Sequence, residues 1–73
     1  MRPYDVLMKK RLGGELTREE IDVFVRGAAD GSFADYQLSA MLMAISIRGM
    51  SARETENMRL EVQALRNQQG TYE

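Results

Sequence analysis

Three groups of side chains in this 73-residue chain are of types that chemistry uses: the carboxylates Glu19, Glu20 and Asp22, the cations Lys9, Lys10 and Arg11, and the hydroxyls Ser39 and Ser46. Paired carboxylates do acid–base work when their surroundings drive their pKa values apart. Adjacent positions on a helix point in different directions, however, and acids are favoured in a first turn because the helix dipole is positive there. Thr17-Arg18-Glu19-Glu20 reads as a capping box, so the acidic cluster is assigned to helix initiation. The three cations fall where a helix ends, and they read as a solvated, dipole-complementing terminus instead of a phosphate site. Ser39 and Ser46 have no histidine anywhere in the chain to activate them.

Cysteine is absent as well, which excludes disulfides and any thiolate or imidazole metal site. Gly13-Gly14 and Gly31-Ser32 follow no strand and lack the Lys-Ser/Thr of a phosphate loop, so both are turn punctuation. Met41, Met43, Met50 and Met58 sit among Leu and Ile at helical spacing, the pattern of a core or subunit contact. No catalytic residue, cofactor site or metal site emerges, and no cofactor is implied.

The elements that position these residues are written in capping signals. Pro3 suits a first turn, and a helix is expected from Pro3 to Arg11, ended by Gly13-Gly14. Thr17 and Glu20 start a second helix from Arg18 to about Ala29, with Leu16 and Ile21 as its hydrophobic staple. Ile21, Phe24, Val25 and Ala28 form its core-facing stripe, and Asp30-Gly31 closes it. Ser32 with Asp35 is a weaker box before a third helix that runs to Arg48. From Leu38 to Ile47 that helix is apolar on every side except Ser39 and Ser46, which marks it as the buried central helix. Ser51 and Glu54 cap a fourth helix, Ala52 to about Gln68, with Gly70 ending it. The expected fold is all-α: one small four-helix bundle over residues 1–69, with 70–73 a frayed tail.

A chain this short buries only about 60% of the surface its unfolded form exposes, so partner chains commonly add stability. With 44% hydrophobic residues, pairing as a homodimer is expected. Val6, Leu7, Leu38, Met41, Leu42 and Ile45 are the candidates to divide between core and subunit interface. A formal charge of −1 gives no reason to expect a nucleic acid, and the third helix offers methionine and leucine where a recognition helix needs polar side chains. No segment approaches the roughly 20 apolar residues of a membrane span, and the N-terminus lacks the apolar core of a secretory signal. A cytoplasmic location is the default expectation.

Three motifs carry a family resemblance. They are Lys-Lys-Arg-Leu-Gly-Gly-Glu-Leu-Thr-Arg-Glu-Glu-Ile from Lys9 to Ile21, Gly-Ser-Phe-Ala-Asp-Tyr-Gln-Leu-Ser-Ala-Met-Leu-Met-Ala-Ile from Gly31 to Ile45, and Arg48-Gly-Met-Ser-Ala-Arg-Glu-Thr55. Together they resemble the opening helical domain of pyrimidine nucleoside and thymidine phosphorylases over roughly residues 3 to 60. The third helix is also similar to the N-terminal helices of anthranilate phosphoribosyltransferases. The resemblance implies a dimerisation and cleft-wall module that docks on an α/β domain. The family's phosphate-binding motif, Lys-His-Ser-Thr-Gly-Gly, lies in that α/β domain and has no counterpart here, so the module is expected to be inactive alone. Alternatives are a part of an active phosphorylase, a recombined or engineered helical domain, and a small nucleic-acid binder. The stretch from Asn57 departs from the family, with Ala64-Leu65 in place of Ser-Gly, which implies a truncated, recombined or engineered segment.

Overall fold

The computed structural model describes residues 2–68. Four helices follow in order: α1 Pro3–Arg11, α2 Arg18–Asp30, α3 Asp35–Arg48 and α4 Ala52–Gln68. Among the described residues there is no strand. The ending at Gly70 and the tail 70–73 lie outside the described residues.

The helices stand in the lateral order α3, α1, α2, α4: α1 packs on both α3 and α2, and α2 carries α4. The core forms along the α1–α2 seam from Val6, Leu7, Leu16, Ile21, Phe24, Val25, Phe33 and Met41. Leu16 and Ile21, on either side of the first turn of α2, are both buried. On α2 the buried stripe is Ile21, Phe24, Val25 and Gly27, while Ala28 is exposed.

The third helix is not central. It packs chiefly on α1 and buries only Met41 and Ala44. Leu42, Met43 and Ile47 stand more than half exposed. Apolar content all round a helix signals burial only if other elements cover every side. Here one neighbour covers one side.

Gly27 shows how tightly the α2–α3 turn is packed. Its carbonyl accepts from Gly31 N–H at 3.0 Å and Phe33 N–H at 3.1 Å, and Gly31 takes φ +87°. This double acceptance satisfies carbonyl capacity at a helix end, with a glycine where the backbone turns left-handed. The chain is thereby folded back so that Phe33 meets Phe24 edge to face, ring centroids 5.3 Å apart. A methyl at position 27 would lie 2.5 Å from Phe33 Cδ1.

Gly27→Ala is therefore expected to destabilise the fold although alanine is the better helix former. The propensity gain is about 1 kcal/mol. Overpacking costs about 1–3 kcal/mol, and the upper part of that range applies because Phe33 is pinned by Phe24. Urea denaturation should show a net loss on the order of 1 kcal/mol; a gain in stability would show that the ring has room to move.

Candidate functional site

Lys9, Lys10 and Arg11 do not form a solvated cationic end. They leave the last turn of α1 in three directions. Lys9 Nζ donates to Glu20 Oε1 at 2.8 Å, tying α1 to the first turn of α2. Lys10 turns inward and donates to both oxygens of Glu54, at 2.9 and 3.0 Å. Arg11 stays exposed and points one Nη toward Met8 Sδ.

Glu54 is the centre of this arrangement. Ser51 Oγ accepts from Glu54 N–H at 3.0 Å, and Glu54 Oε1 accepts from Ser51 N–H at 2.9 Å. That reciprocal pair starts α4. The same carboxylate also accepts from Leu16 N–H at 2.7 Å, in the loop before α2. Side chains of Lys10 and Glu54 are 4% and 2% exposed, so this ion pair is almost wholly withdrawn from water at the floor of a cleft. Burial pushes the Glu54 carboxyl up. Hydrogen bonds from Leu16 N–H, Lys10 and Ser51 N–H, with the lysine charge, outweigh it and hold the group below the usual carboxylate range.

Glu20 repeats the device at α2. Thr17 Oγ1 accepts from Glu20 N–H at 3.2 Å, and Glu20 Oε1 accepts from Thr17 N–H at 2.7 Å. Burial raises its carboxyl, but Lys9 and Thr17 bring it below the ordinary value. Asp22 pairs with Arg26 at 2.7 Å on the same helix, and Glu19 is exposed. The acidic cluster thus divides among separate structural roles and converges on no common point.

Ser32 does not cap α3. Its N–H and hydroxyl both donate to Asp30 Oδ1, at 2.8 and 2.6 Å, which makes it part of the turn after α2. Ala34 holds the N-cap position, and Gln37 Oε1 accepts its N–H at 2.9 Å. The competing partner two residues upstream captured the serine.

The six apolar candidates separate clearly. Val6, Leu7 and Met41 are core; Leu38 and Ile45 are half-buried against it; Leu42 is exposed. A stripe of larger exposure lies elsewhere on α3, through Tyr36, Met43 and Ile47. Beside it runs a groove of about 520 Å³ lined by Arg11, Ala40, Met43, Ala44, Ile47 and Arg48. Arg48 Nε donates to Arg11 C=O at 3.0 Å, so the ends of α1 and α3 are fastened together at one end of this groove. Sequence reasoning missed this stripe because a helix read as apolar on all sides gives no direction to its faces. Across the fastening lies a polar cleft of about 410 Å³, where Lys10, Glu15, Ser51 and Glu54 meet the backbone of the two glycine turns. Among the described residues, no three carboxylates gather as a metal site, and no helix is long and apolar enough to cross a membrane.

Residues 4–67 match the glycosyl transferase family helical bundle domain. Pyrimidine-nucleoside phosphorylase of Bacillus subtilis (strain 168) is 52% identical over 58 residues, which are 80% of this chain and 13% of that protein. The pyrimidine-nucleoside phosphorylase of Geobacillus stearothermophilus is 47% identical over 58 residues, again 80% and 13%. Thymidine phosphorylase of Sinorhizobium medicae (strain WSM419) is 46% identical over 54 residues, 74% of this chain and 12% of that protein. The chain spans a small part of the length of these relatives.

Removing one partner of a buried ion pair costs about 3–5 kcal/mol, because the remaining charge stays buried without compensation. Lys10→Met is expected to lose that much in urea denaturation. Glu54 has its carboxyl held low in the fold, so its contribution is present above the unfolded glutamate range and is lost as pH falls through the folded value. The natural chain should therefore weaken steadily in acid, while the acid-side slope of Lys10→Met should be shallower. Equal slopes in the two proteins would show that Lys10 is not what holds the carboxylate charged.

Proposed function

The chain belongs to the glycosyl transferase family helical bundle domain, and on that footing we propose that it is an assembly module of a pyrimidine nucleoside phosphorylase, with no phosphorolytic activity of its own. The observation that supports this reading best is the uncovered apolar stripe of α3. Tyr36, Met43 and Ile47 are 75%, 61% and 72% exposed. Large apolar side chains gathered on one helix face mark an interaction surface when no element of the same chain covers them. Ala40 and Ala44 line the adjoining groove, and small side chains there leave room for the larger ones of a partner to enter. A second copy of the chain is the partner this reading assigns, with α3 meeting α3.

A second reading rests on the names of the relatives. As pyrimidine-nucleoside and thymidine phosphorylases, they support a role for the module as one wall of a nucleoside cleft completed by an α/β domain. Its own residues would then orient and enclose substrate while the α/β domain supplies phosphate binding. Mixing the chain with the remainder of a relative that lacks its first helices should restore pyrimidine nucleoside phosphorolysis. Failure of the two pieces to associate overturns this second reading.

Light scattering behind a sizing column, over a tenfold concentration range, tests assembly directly. The natural chain should run at twice its 8.3 kDa. Met43→Glu/Ile47→Glu puts two carboxylates into the stripe, and burying unpaired charge costs at least about 2 kcal/mol, which is roughly thirtyfold in dissociation constant. That variant should run as a monomer with unchanged helical circular dichroism. A natural chain that is monomeric across the whole range rules out self-association through α3.

A further inference from the structure

We propose that α4 is an acid-releasable helix, docked through two buried carboxylates and able to leave while α1, α2 and α3 remain folded. Among its described side chains, the residues that α4 buries are Glu54 and Glu61. Its apolar side chains Met58 and Leu65 are only half-buried against the core, and Val62 is exposed. Every fully buried apolar side chain of the described core comes from α1, α2, α3 or the turns between them. α4 is therefore fastened differently from its neighbours.

Its two polar ties lie about two helical turns apart, with Met58 between them and Leu65 beyond. Glu54 takes Lys10 of α1 and the Leu16 N–H. Seven residues on, Glu61 Oε2 receives Arg18 Nε of α2 at 2.8 Å. Apolar contact is nearly indifferent to pH, whereas a carboxylate tie ends when the carboxylate gains a proton. Protonated Glu54 leaves the Lys10 ammonium in a site 4% exposed with no counter-charge. That charge reaches water most directly if the start of α4 moves away.

The seam carries charges of both signs. Its cations are Lys10 of α1, Arg18 of α2 and Arg48 at the end of α3. Glu15, which accepts from the Ser51 hydroxyl, and Asp22, beside Glu61, are the acids that share the seam. Asp22 and Glu61 share a hydrogen bond, which two carboxyl groups can make only through a proton, so the release rests on Glu54 and the Lys10 charge it faces. Where α3 is fastened to α1, Arg48 donates to a backbone carbonyl, a bond that uses no carboxylate.

Amide hydrogen exchange resolved by helix tests the proposal on the full chain. Glu54→Gln keeps the side chain's shape and removes its charge. At neutral pH it should speed exchange in α4 by at least about a hundredfold, the lower end of the factor expected from opening a buried ion pair, with α1, α2 and α3 unchanged. Glu20→Gln, the equivalent change at α2, should not free α4. Acid titration of the natural chain by two-dimensional NMR reads the same event without a variant, so a Glu54→Gln protein that fails to fold still leaves the question answerable. Amide signals of α4 should move to unfolded positions before those of the other helices. Loss of all four helices together, or an α4 that keeps its protection, overturns the proposal.

Discussion

One carboxylate joins three parts of this fold that are distant in sequence. Glu54 caps its own helix through Ser51, holds the Leu16 amide 38 residues upstream and neutralises Lys10 44 residues upstream. Each of those partners constrains something different. The Ser51 bonds set where α4 begins; the Leu16 bond fixes the loop that leads into α2; the Lys10 bond sets how far the last turn of α1 may turn. Leu16 is buried partly because its amide is held there, and Ile21 then packs across the first turn of α2. Glu20 with Lys9 is the shallower copy of the same device. Two consecutive lysines at one helix end thus position the starts of two other helices.

Such an arrangement gives specificity more than raw stability. Replacing a buried ion pair with apolar groups is often neutral or stabilising. Here the replacement would also leave the buried Leu16 amide without its side-chain acceptor, and an unsatisfied buried amide costs about 1–3 kcal/mol. All three donors converge on this one carboxylate, which ties the start of α4 to the α1–α2 seam. Among the described residues no buried side-chain polar atom is left without a partner. The polar network is closed, which is the condition under which burying it costs least.

Helix count and helix starts were legible because capping is local. Thr17-x-x-Glu20 and Ser51-x-x-Glu54 satisfy amides within one turn, and no distant residue is needed to read them. Ser32 shows where this local grammar becomes ambiguous: Asp30 lies two residues before it and offers a closer acceptor than a helix start does. The fate of Lys9 and Lys10 was not legible at all. Nothing in the order Lys-Lys-Arg tells that one cation is buried, since its partner lies on another helix. The position of α3 was misread for a related reason. Periodicity reports which side of a helix is apolar, but the number of neighbours that cover it is a property of the assembly. A helix with apolar residues on several sides is central in one architecture and an interaction surface in another.

Those two failures are connected. A 73-residue chain has too little interior to cover every side of four helices. The described core is concentrated between α1 and α2, so the outer helices must be handled by other means. α4 is polar enough to face water and is held by carboxylates at two points. α3 is too apolar to face water in the same way, and its uncovered stripe lies beside a groove at the junction of α1 and α3. The bundle is thus asymmetric: one flank is fastened by charge and satisfied in water, the other is fastened by apolar contact and left open. If assembly runs through α3 as proposed above, this asymmetry would give the module a direction, the open α3 flank toward the second copy and the charge-fastened α4 flank away from it.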